Sequence, residues 1–210
     1  MADAVGEGLA AGPGVRYALQ AIELPGAFHP KVALLWSGSA LLLAVGSGNL
    51  TFSRMSRNLE VWDVLGDGID LPGHRRMSTS VLDGLRGFLR FLAGRTTGSA
   101  RETVIRAQRA VGSRSGSGDG PRWLDSTERP IAEQLAQLLP ARPGRRVRVL
   151  SPFHDPTGQA CHRLAQALGA QALEILFTGE HTAWPVGRPS PVPVETARLV
   201  GTGDRPLHAK

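Results

Sequence analysis

Cysteine, tyrosine and long apolar segments are scarce in this 210-residue chain. With one cysteine, Cys161, the chain can form neither an internal disulfide nor a metal site built on several thiolates. The longest apolar run, ALLLAV at 40–45, is far shorter than the ~20 residues that span a bilayer. Residues 1–15 lack the basic and apolar segments of a secretory signal. We therefore predict a cytoplasmic protein with no transmembrane segment.

Lysine is scarce too, although the chain is basic. Lysine and arginine together number 24, of which two are lysine and 22 are arginine, and the formal net charge is +6. A basic balance favours polyanionic partners, so we expect nucleic acid, with a lipid head group as the alternative. Each lysine follows a histidine by two positions, in the segments FHPK and LHAK. Because the chain has only six histidines, this repeated spacing singles out His29, Lys31, His208 and Lys210.

The first half of the chain predicts short strands followed by helices. VALLW (32–36) and ALLLAV (40–45) flank a Ser-Gly turn, which is typical of a hairpin of buried strands. The alternating segment 58–65 predicts a third strand. Apolar residues three and four apart predict a helix over 75–93, and a shorter helix with exposed arginines is expected over 101–111.

The second half predicts strands that alternate with helices. Small polar residues at 112–122 predict a linker. The strand–helix–strand order that follows is that of a parallel-sheet crossover, so the whole chain predicts an α/β fold with a mixed sheet flanked by helices. The expected elements are a helix at 128–139, a strand at 145–153, a helix at 157–169 with Thr157 as N-cap and Gly169 as C-cap, a strand at 172–178 and an edge strand at 191–200.

Polar residues cluster around the predicted hairpin. His29 and Lys31 are two apart, which in a strand directs both side chains to one face. Ser47 and Asn49 lie in a Gly-rich loop after the second strand, and Glu60 lies in the predicted third strand. An imidazole can attack a phosphate group or donate a proton. A fixed ammonium and the loop amides can hold that group and stabilise the charge on its oxygens. The pattern therefore predicts a phosphate site.

These segments resemble the motifs of the phospholipase D superfamily. FHPK, LLLAVGSGNLT and NLEVW are similar to its His-x-Lys, Gly-Ser-x-Asn and Asn-x-Glu motifs, and LHAK resembles the start of a second copy. The strand–helix–strand unit of the second half looks like the opening of the family's second repeat. The resemblance implies parts of two pseudo-symmetric repeats: a flexible N-terminus at 1–15, the C-terminal part of repeat one at 16–111, the linker at 112–122 and the N-terminal part of repeat two at 123–210.

The resemblance also implies a reaction, the hydrolysis of a phosphodiester with no metal and no cofactor. His29 would attack phosphorus and form a phosphohistidine intermediate. His208 would protonate the leaving oxygen and then activate water. In the family, each of the two repeats supplies one histidine and one lysine to a shared site.

Other residues would hold the phosphate group in that site. The resemblance implies that Lys31, Asn49 and Lys210 bind the non-bridging phosphate oxygens. It makes Ser47 part of the phosphate-binding loop, whose shape it would set. It gives Glu60 the task of orienting an active-site histidine.

Two departures from the family pattern bear on the substrate. Many members carry an aspartate five residues after the lysine, where this chain has Trp36. The sequence ends at Lys210, before a second Gly-Ser-x-Asn motif, so we expect the chain to be the middle of a longer protein and inactive by itself. The missing aspartate and the +6 charge favour a nuclease-like enzyme. The alternatives are a phospholipase or phosphatidyltransferase on lipid head groups, and a non-catalytic module that binds DNA or a partner protein.

Overall fold

The computed structural model describes most of the chain between residues 20 and 198. These residues form four helices and two β-sheets, which confirms a mixed α/β structure. The two pseudo-symmetric repeats remain a prediction. By their internal contacts the residues divide into two units, Met1–Ala44 with Val64–Trp123 and Val45–Asp63 with Leu124–Lys210. The described residues are 20–24, 29–48, 60–69, 72, 74–140, 142–151, 154–177, 184 and 190–198.

The first sheet has the strand order β1-β2-β3-β4. Its strands are β1 (Val32–Trp36), β2 (Leu41–Gly46), β3 (Trp62–Asp67) and β4 (Arg75–Arg76). The Ser37 amide donates to the Ala40 carbonyl at 2.9 Å, which closes a two-residue turn between β1 and β2 and confirms the predicted hairpin.

The third strand is shifted from the segment predicted for it. It begins at Trp62 and continues to Asp67, two residues beyond the predicted end at residue 65. The reason is a parallel pairing with β4, in which Leu65 faces Arg75 and Gly66 faces Arg76. No local pattern in the sequence encodes this pairing, so the two-residue strand β4 was not predicted.

Helix α1 (Thr79–Ala93) buries the apolar stripe that predicted it. Its fully or nearly buried residues are Val81, Leu82, Leu85, Phe88 and Leu89. The helix begins four residues later than expected because Arg75 and Arg76 pair with β3 instead. Ser78 caps it, since the Ser78 Oγ accepts a hydrogen bond from the Val81 amide at 3.2 Å.

Helix α2 (Gly98–Gly112) follows α1 after a short connection and contacts it. It turns Ala107 and Val111 inward, while Arg101, Arg106 and Arg109 are exposed as the sequence predicted. The two helices therefore form a helical hairpin within the first unit.

The Gly- and Ser-rich segment 112–122 lies against the start of α1. The Ser117 amide donates to the Met77 carbonyl at 3.2 Å, and the Thr79 amide donates to the Ser117 carbonyl at 2.8 Å. The Ser78 Oγ also donates to the Pro121 carbonyl. The backbone of this segment is therefore hydrogen-bonded to residues 77–79. Its role as a linker between repeats stays a prediction.

The second unit contains a three-stranded parallel sheet in the order β5-β6-β7. Its elements are α3 (Ile131–Leu138), β5 (Arg146–Leu150), α4 (Gln159–Ala167), β6 (Ala172–Phe177) and β7 (Val194–Arg198). This confirms the β5-α4-β6 crossover and the edge strand. Val147, Leu173 and Ile175 from the sheet share a core with Cys161 and Ala165 of α4.

The ends of α4 match the sequence prediction on one side only. Gly169 has φ +60°, and the Ala170 amide reaches back to the Ala165 carbonyl at 2.8 Å, which confirms a glycine C-terminal motif. Thr157 as N-cap is wrong. The cap position is Gly158, and the Asp155 carboxylate accepts hydrogen bonds from the backbone amides of Gln159 and Ala160, at the start of the helix.

None of the helices among the described residues is long and apolar enough to cross a bilayer.

Candidate functional site

His29 and Lys31 lie immediately before β1, with their side chains in contact. The Lys31 Nζ is 2.9 Å from the Nδ1 and 2.9 Å from the Nε2 of His29. β1 begins at Val32, as the predicted strand does, so the strand geometry used to place both side chains on one face does not apply to residues 29 and 31. The side-by-side arrangement of imidazole and ammonium is nevertheless present.

An ammonium group has three donors and no acceptor, and a ring nitrogen of histidine is an acceptor only when it carries no proton. The lone pair of such a nitrogen is what a nucleophilic histidine uses. His29 is exposed and Lys31 is half-buried, so a ligand from solvent can reach the pair.

Ser47 and Glu60 form a second pair, where the chain leaves β2 and approaches β3. The Ser47 Oγ donates to the Glu60 Oε2 at 2.6 Å and accepts from the Val61 amide at 3.0 Å. The Ser47 amide in turn donates to the Val61 carbonyl at 3.0 Å. Ser47 is 7% exposed, so these bonds hold its hydroxyl inside the fold. Glu60 lies two residues before β3, not in the strand that the sequence predicted.

The glycines on either side of Ser47 allow this close approach. A Cβ at Gly48 would lie 2.6 Å from the Glu60 Cδ. A Cβ at Gly46 would lie 2.4 Å from the Trp62 ring and 2.7 Å from the Val61 carbonyl oxygen. The Gly-Ser-Gly sequence is therefore explained by packing against residues 60–62, whatever else the loop binds.

The Ser47 hydroxyl has one proton, and that proton points to Glu60. Ser47 can therefore offer a phosphate oxygen no donor unless it gives up the carboxylate. This favours the role of Ser47 in shaping the loop over direct contact with phosphate. The bond also joins two residues for which the sequence predicted separate roles, since Glu60 was expected to orient a histidine.

The structure brings the predicted residues together in two pairs, each within one unit. His29 and Lys31 belong to the first unit, and Ser47 and Glu60 belong to the second. The predictions for Asn49, His208 and Lys210 fall outside the described residues. Trp36, at the position of the family aspartate, is 38% exposed at the end of β1.

A cluster that the sequence did not predict lies in the second unit. Trp184 meets the rings of His154 and His162 edge-on, with centroids 5.1 and 5.7 Å apart. The Cys161 Sγ is 3.7 Å from the His154 Nδ1. Burial, and secondarily the charge of Asp155, raises the pKa of the Cys161 thiol, so this Cys-His pair is poorly suited to thiolate chemistry. Across the ranges described above, no three His, Cys, Asp or Glu side chains converge on a possible metal position.

No protein-family model, curated protein or solved structure matches the chain. The resemblance to the phospholipase D superfamily therefore rests on the short sequence motifs alone.

Proposed function

We propose that the chain is part of a phosphodiester hydrolase of the phospholipase D type, acting on nucleic acid through a phosphohistidine. The observation that carries this proposal is the contact between the imidazole of His29 and the ammonium of Lys31. It pairs a nucleophile with a fixed positive charge at an exposed position. That pairing suits attack on a phosphate group, whose oxygens gain charge in the transition state.

The proposed reaction has two steps. In the first, a ring nitrogen of His29 forms a bond to phosphorus, the phosphorus–oxygen bond to the leaving group breaks, and His208 gives the leaving oxygen a proton. In the second, His208 takes a proton from water, the water oxygen bonds to phosphorus, and the phosphorus–nitrogen bond breaks. The ammonium groups of Lys31 and Lys210, with the Asn49 amide, would hold the non-bridging oxygens throughout.

The Ser47–Glu60 pair would support this site by fixing the loop that carries Asn49. Asn49 follows Gly48, whose lack of a side chain lets the Glu60 carboxylate approach. A serine that is buried and bonded on both sides restricts the backbone at its own position.

Nucleic acid is the preferred substrate because of the net charge and the absence of the family aspartate at Trp36. One observation favours a lipid substrate as the second candidate. Leu35 is 60% exposed and Trp36 38% exposed, a few residues after Lys31, and such side chains suit an apolar tail. In a third candidate, the chain keeps the fold and binds DNA or a partner without catalysis.

Cleavage assays on single-stranded DNA, double-stranded DNA and phosphatidylcholine liposomes separate these candidates. They are run on the full-length protein. We expect DNA cleavage, with a covalent phosphoryl group that survives alkali and maps to His29. His29→Ala should lower the rate about a thousandfold or more, because the nucleophile is lost. Lys31→Ala should lower it about a hundredfold, and Lys31→Arg should recover little, since a guanidinium is wider than an ammonium.

His162→Ala is the matched control, because it removes a histidine that meets the Trp184 ring edge-on, lies outside the proposed machinery and should not be needed for activity. Cleavage of liposomes alone would reject the nuclease and support the lipid enzyme. DNA binding with no cleavage and no trapped intermediate would support the non-catalytic module. Unchanged activity in His29→Ala would reject the mechanism for every substrate.

A further inference from the structure

The positive charge of the chain is concentrated in the helical hairpin of α1 and α2. Between residues 79 and 114, from the start of α1 to just beyond α2, there are seven arginines and two acidic residues, Asp83 and Glu102, a local charge of +5. The formal net charge of the whole chain is +6. The rest of the sequence therefore carries a net charge of +1, and most of the positive charge of the chain belongs to this one segment.

Two of the seven arginines support the fold. Arg86 donates to the carbonyls of Val111 and Arg114 at 3.1 and 2.6 Å and pairs with Asp83. Arg114 donates to the carbonyls of Gly38 and Ser39 and pairs with Asp67. Both guanidinium groups are committed to backbone carbonyls and a carboxylate, so they are not available to a ligand.

The other five arginines are exposed and form what we call the arginine face: Arg90, Arg95, Arg101, Arg106 and Arg109. Within the residues that the structure describes, none of the five makes an ion pair. Arg95 is held over the ring of Phe91, 3.9 Å from its centroid, and Arg106 donates to the Thr103 hydroxyl at 3.2 Å. These contacts orient the side chains without neutralising them.

The geometry of α2 aligns three of these charges. At 100° per residue, Arg101, Arg109 and Arg106 lie within an arc of about 140°, opposite the buried Ala107 and Val111. From Arg101 to Arg109 the helix rises ~12 Å, a length over which one nucleic-acid strand presents three or four phosphates at ~3.4 Å each. Arg90 lies in the last turn of α1, and Arg95 lies in the connection that leads into α2.

We propose that the arginine face binds the phosphate backbone of a nucleic acid, a choice of partner that rests on the proposed function. Guanidinium groups pair with phosphate oxygens through two parallel hydrogen bonds, which suits a row of backbone phosphates. An anionic membrane is a poorer fit. The large apolar side chains of both helices are buried or half-buried, and none of the large exposed apolar residues among those described lies on either helix. A membrane-surface helix needs such residues to insert.

The test measures binding rather than cleavage, by fluorescence anisotropy with a 20-base-pair DNA duplex at about 50 to 200 mM salt. The triple variant R101Q/R106Q/R109Q removes three charges from the arginine face. Each lost phosphate contact lowers the slope of log affinity against log salt by about 0.9. We expect the slope to fall by about 2 to 3 and the affinity at 100 mM salt to fall at least about tenfold.

The matched control is R122Q/R129Q/R163Q, which removes the same charge from exposed positions outside the hairpin. It should leave the slope unchanged, and circular dichroism melts should show both variants folded. Equal losses in the two variants would overturn the proposal, because the charge would then act without a defined surface. Binding of phosphatidylserine vesicles that is lost only in the hairpin variant, with DNA binding intact, would also overturn it. DNA binding that needs the arginine face while no DNA is cleaved would reject the proposed nuclease but uphold this surface.

Discussion

Residues 46–48 and residues 112–120 are both rich in glycine and serine, but they have different neighbours. In the first stretch, Gly48 and Ser47 lie against a carboxylate, that of Glu60. In the second, Gly116 and Ser117 lie against the backbone of residues 77–79, at the start of α1. One stretch therefore positions an ionisable group beside the residues of a predicted phosphate loop, and the other seals the beginning of a helix.

Composition alone therefore does not distinguish a binding loop from a structural one. Glycine in both stretches permits an approach that a Cβ would block, and serine in both supplies a hydroxyl that hydrogen-bonds to a neighbouring group. The difference comes from the partner, which is a charged side chain in one case and backbone carbonyls and amides in the other. Substitutions that remove the close approach or the hydroxyl should therefore have different consequences in the two stretches.

The largest effect should come from Gly116→Ala. A Cβ at this position would lie 2.3 Å from the Thr79 amide nitrogen and 2.4 Å from the Ser78 carbonyl carbon. Both are backbone atoms at the first turn of α1, so they cannot move aside without shifting the helix. We expect a loss of about 3 kcal/mol in the free energy of unfolding, measured by urea denaturation. Gly118→Ala is the control, since nothing lies within 4 Å of its Cβ, and it should cost less than about 0.5 kcal/mol. Equal stability of the two variants would contradict the packing of 112–120 against α1.

We expect a smaller loss of stability for Ser47→Ala, a substitution that also alters the candidate site. The substitution leaves the Glu60 carboxylate and the Val61 amide each without the hydroxyl that now bonds them. A buried group that loses its hydrogen-bond partner costs about 1 to 3 kcal/mol, so we expect about 2 kcal/mol. A double-mutant cycle with Glu60→Gln isolates the pair, and its coupling energy should exceed about 0.5 kcal/mol.

The same cycle can be read in cleavage rates. If the pair fixes the loop before Asn49, Ser47→Ala should raise KM and lower kcat, while Gly38→Ala, whose Cβ meets nothing within 4 Å, should change neither. A coupling energy near zero would show that Ser47 and Glu60 act independently. The first stretch would then resemble the second, and the contrast between them would disappear.

Ser78→Ala should have an intermediate-to-small effect and tests the helix start that the second stretch covers. The Ser78 Oγ accepts from the Val81 amide and donates to the Pro121 carbonyl, so its loss removes an N-cap and a tie to the segment. The expected cost is about 1 to 2 kcal/mol of unfolding free energy, with no change in binding of a phosphate ligand. Thermal melts of Ser78→Ala and Ser78→Asn provide the check, because asparagine can also cap and should recover part of the loss. Failure of asparagine to recover any stability would assign the effect to the Pro121 contact.

The sequence predicts the parts of the fold that depend on local periodicity. The apolar spacing of α1, the hairpin around Gly38 and the β5-α4-β6 crossover each follow from patterns of two or of three and four. The sequence does not predict β4, because two residues have no period and Arg75 and Arg76 become a strand only by pairing with β3. It also does not predict the Ser47–Glu60 bond. That bond joins residues 13 positions apart and depends on how the chain returns from β2 to β3.

The candidate site was predictable in its residue types and less so in its geometry. The spacing of His29 and Lys31 indicated a shared face, and their side chains do meet, although in the segment before β1. The role of the glycines beside Ser47 was not predictable, because it depends on the positions of Glu60 and Trp62. Close approaches of this kind are fixed by tertiary packing, which a single sequence does not encode locally.

The turn before α4 combines features of both stretches, and a substitution in it should have the smallest effect on stability. Before α4, the Asp155 carboxylate accepts from the Thr157 hydroxyl at 2.7 Å and from the amides of Gln159 and Ala160. It thus places a carboxylate, as in the first stretch, at a helix start, as in the second. These hydrogen bonds, that of Thr157 foremost, lower the pKa of Asp155 from 3.8 to about 2.

A lowered pKa means that the folded state favours the ionised form of Asp155. Its contribution to stability is therefore complete above pH 3.8 and is lost as the pH falls through about 2. Asp155→Ala should cost about 1 kcal/mol at pH 7, the usual value of an N-terminal cap, and the gap to the unsubstituted protein should close between those two pH values. Urea denaturation from pH 7 down to pH 2 measures the gap. Glu128→Ala, which removes an exposed carboxyl, should give a gap near zero at every pH. A gap for Asp155→Ala that stays constant down to pH 2 would mean that the carboxylate acts through packing and not through its charge, and the turn would then belong with the second stretch alone.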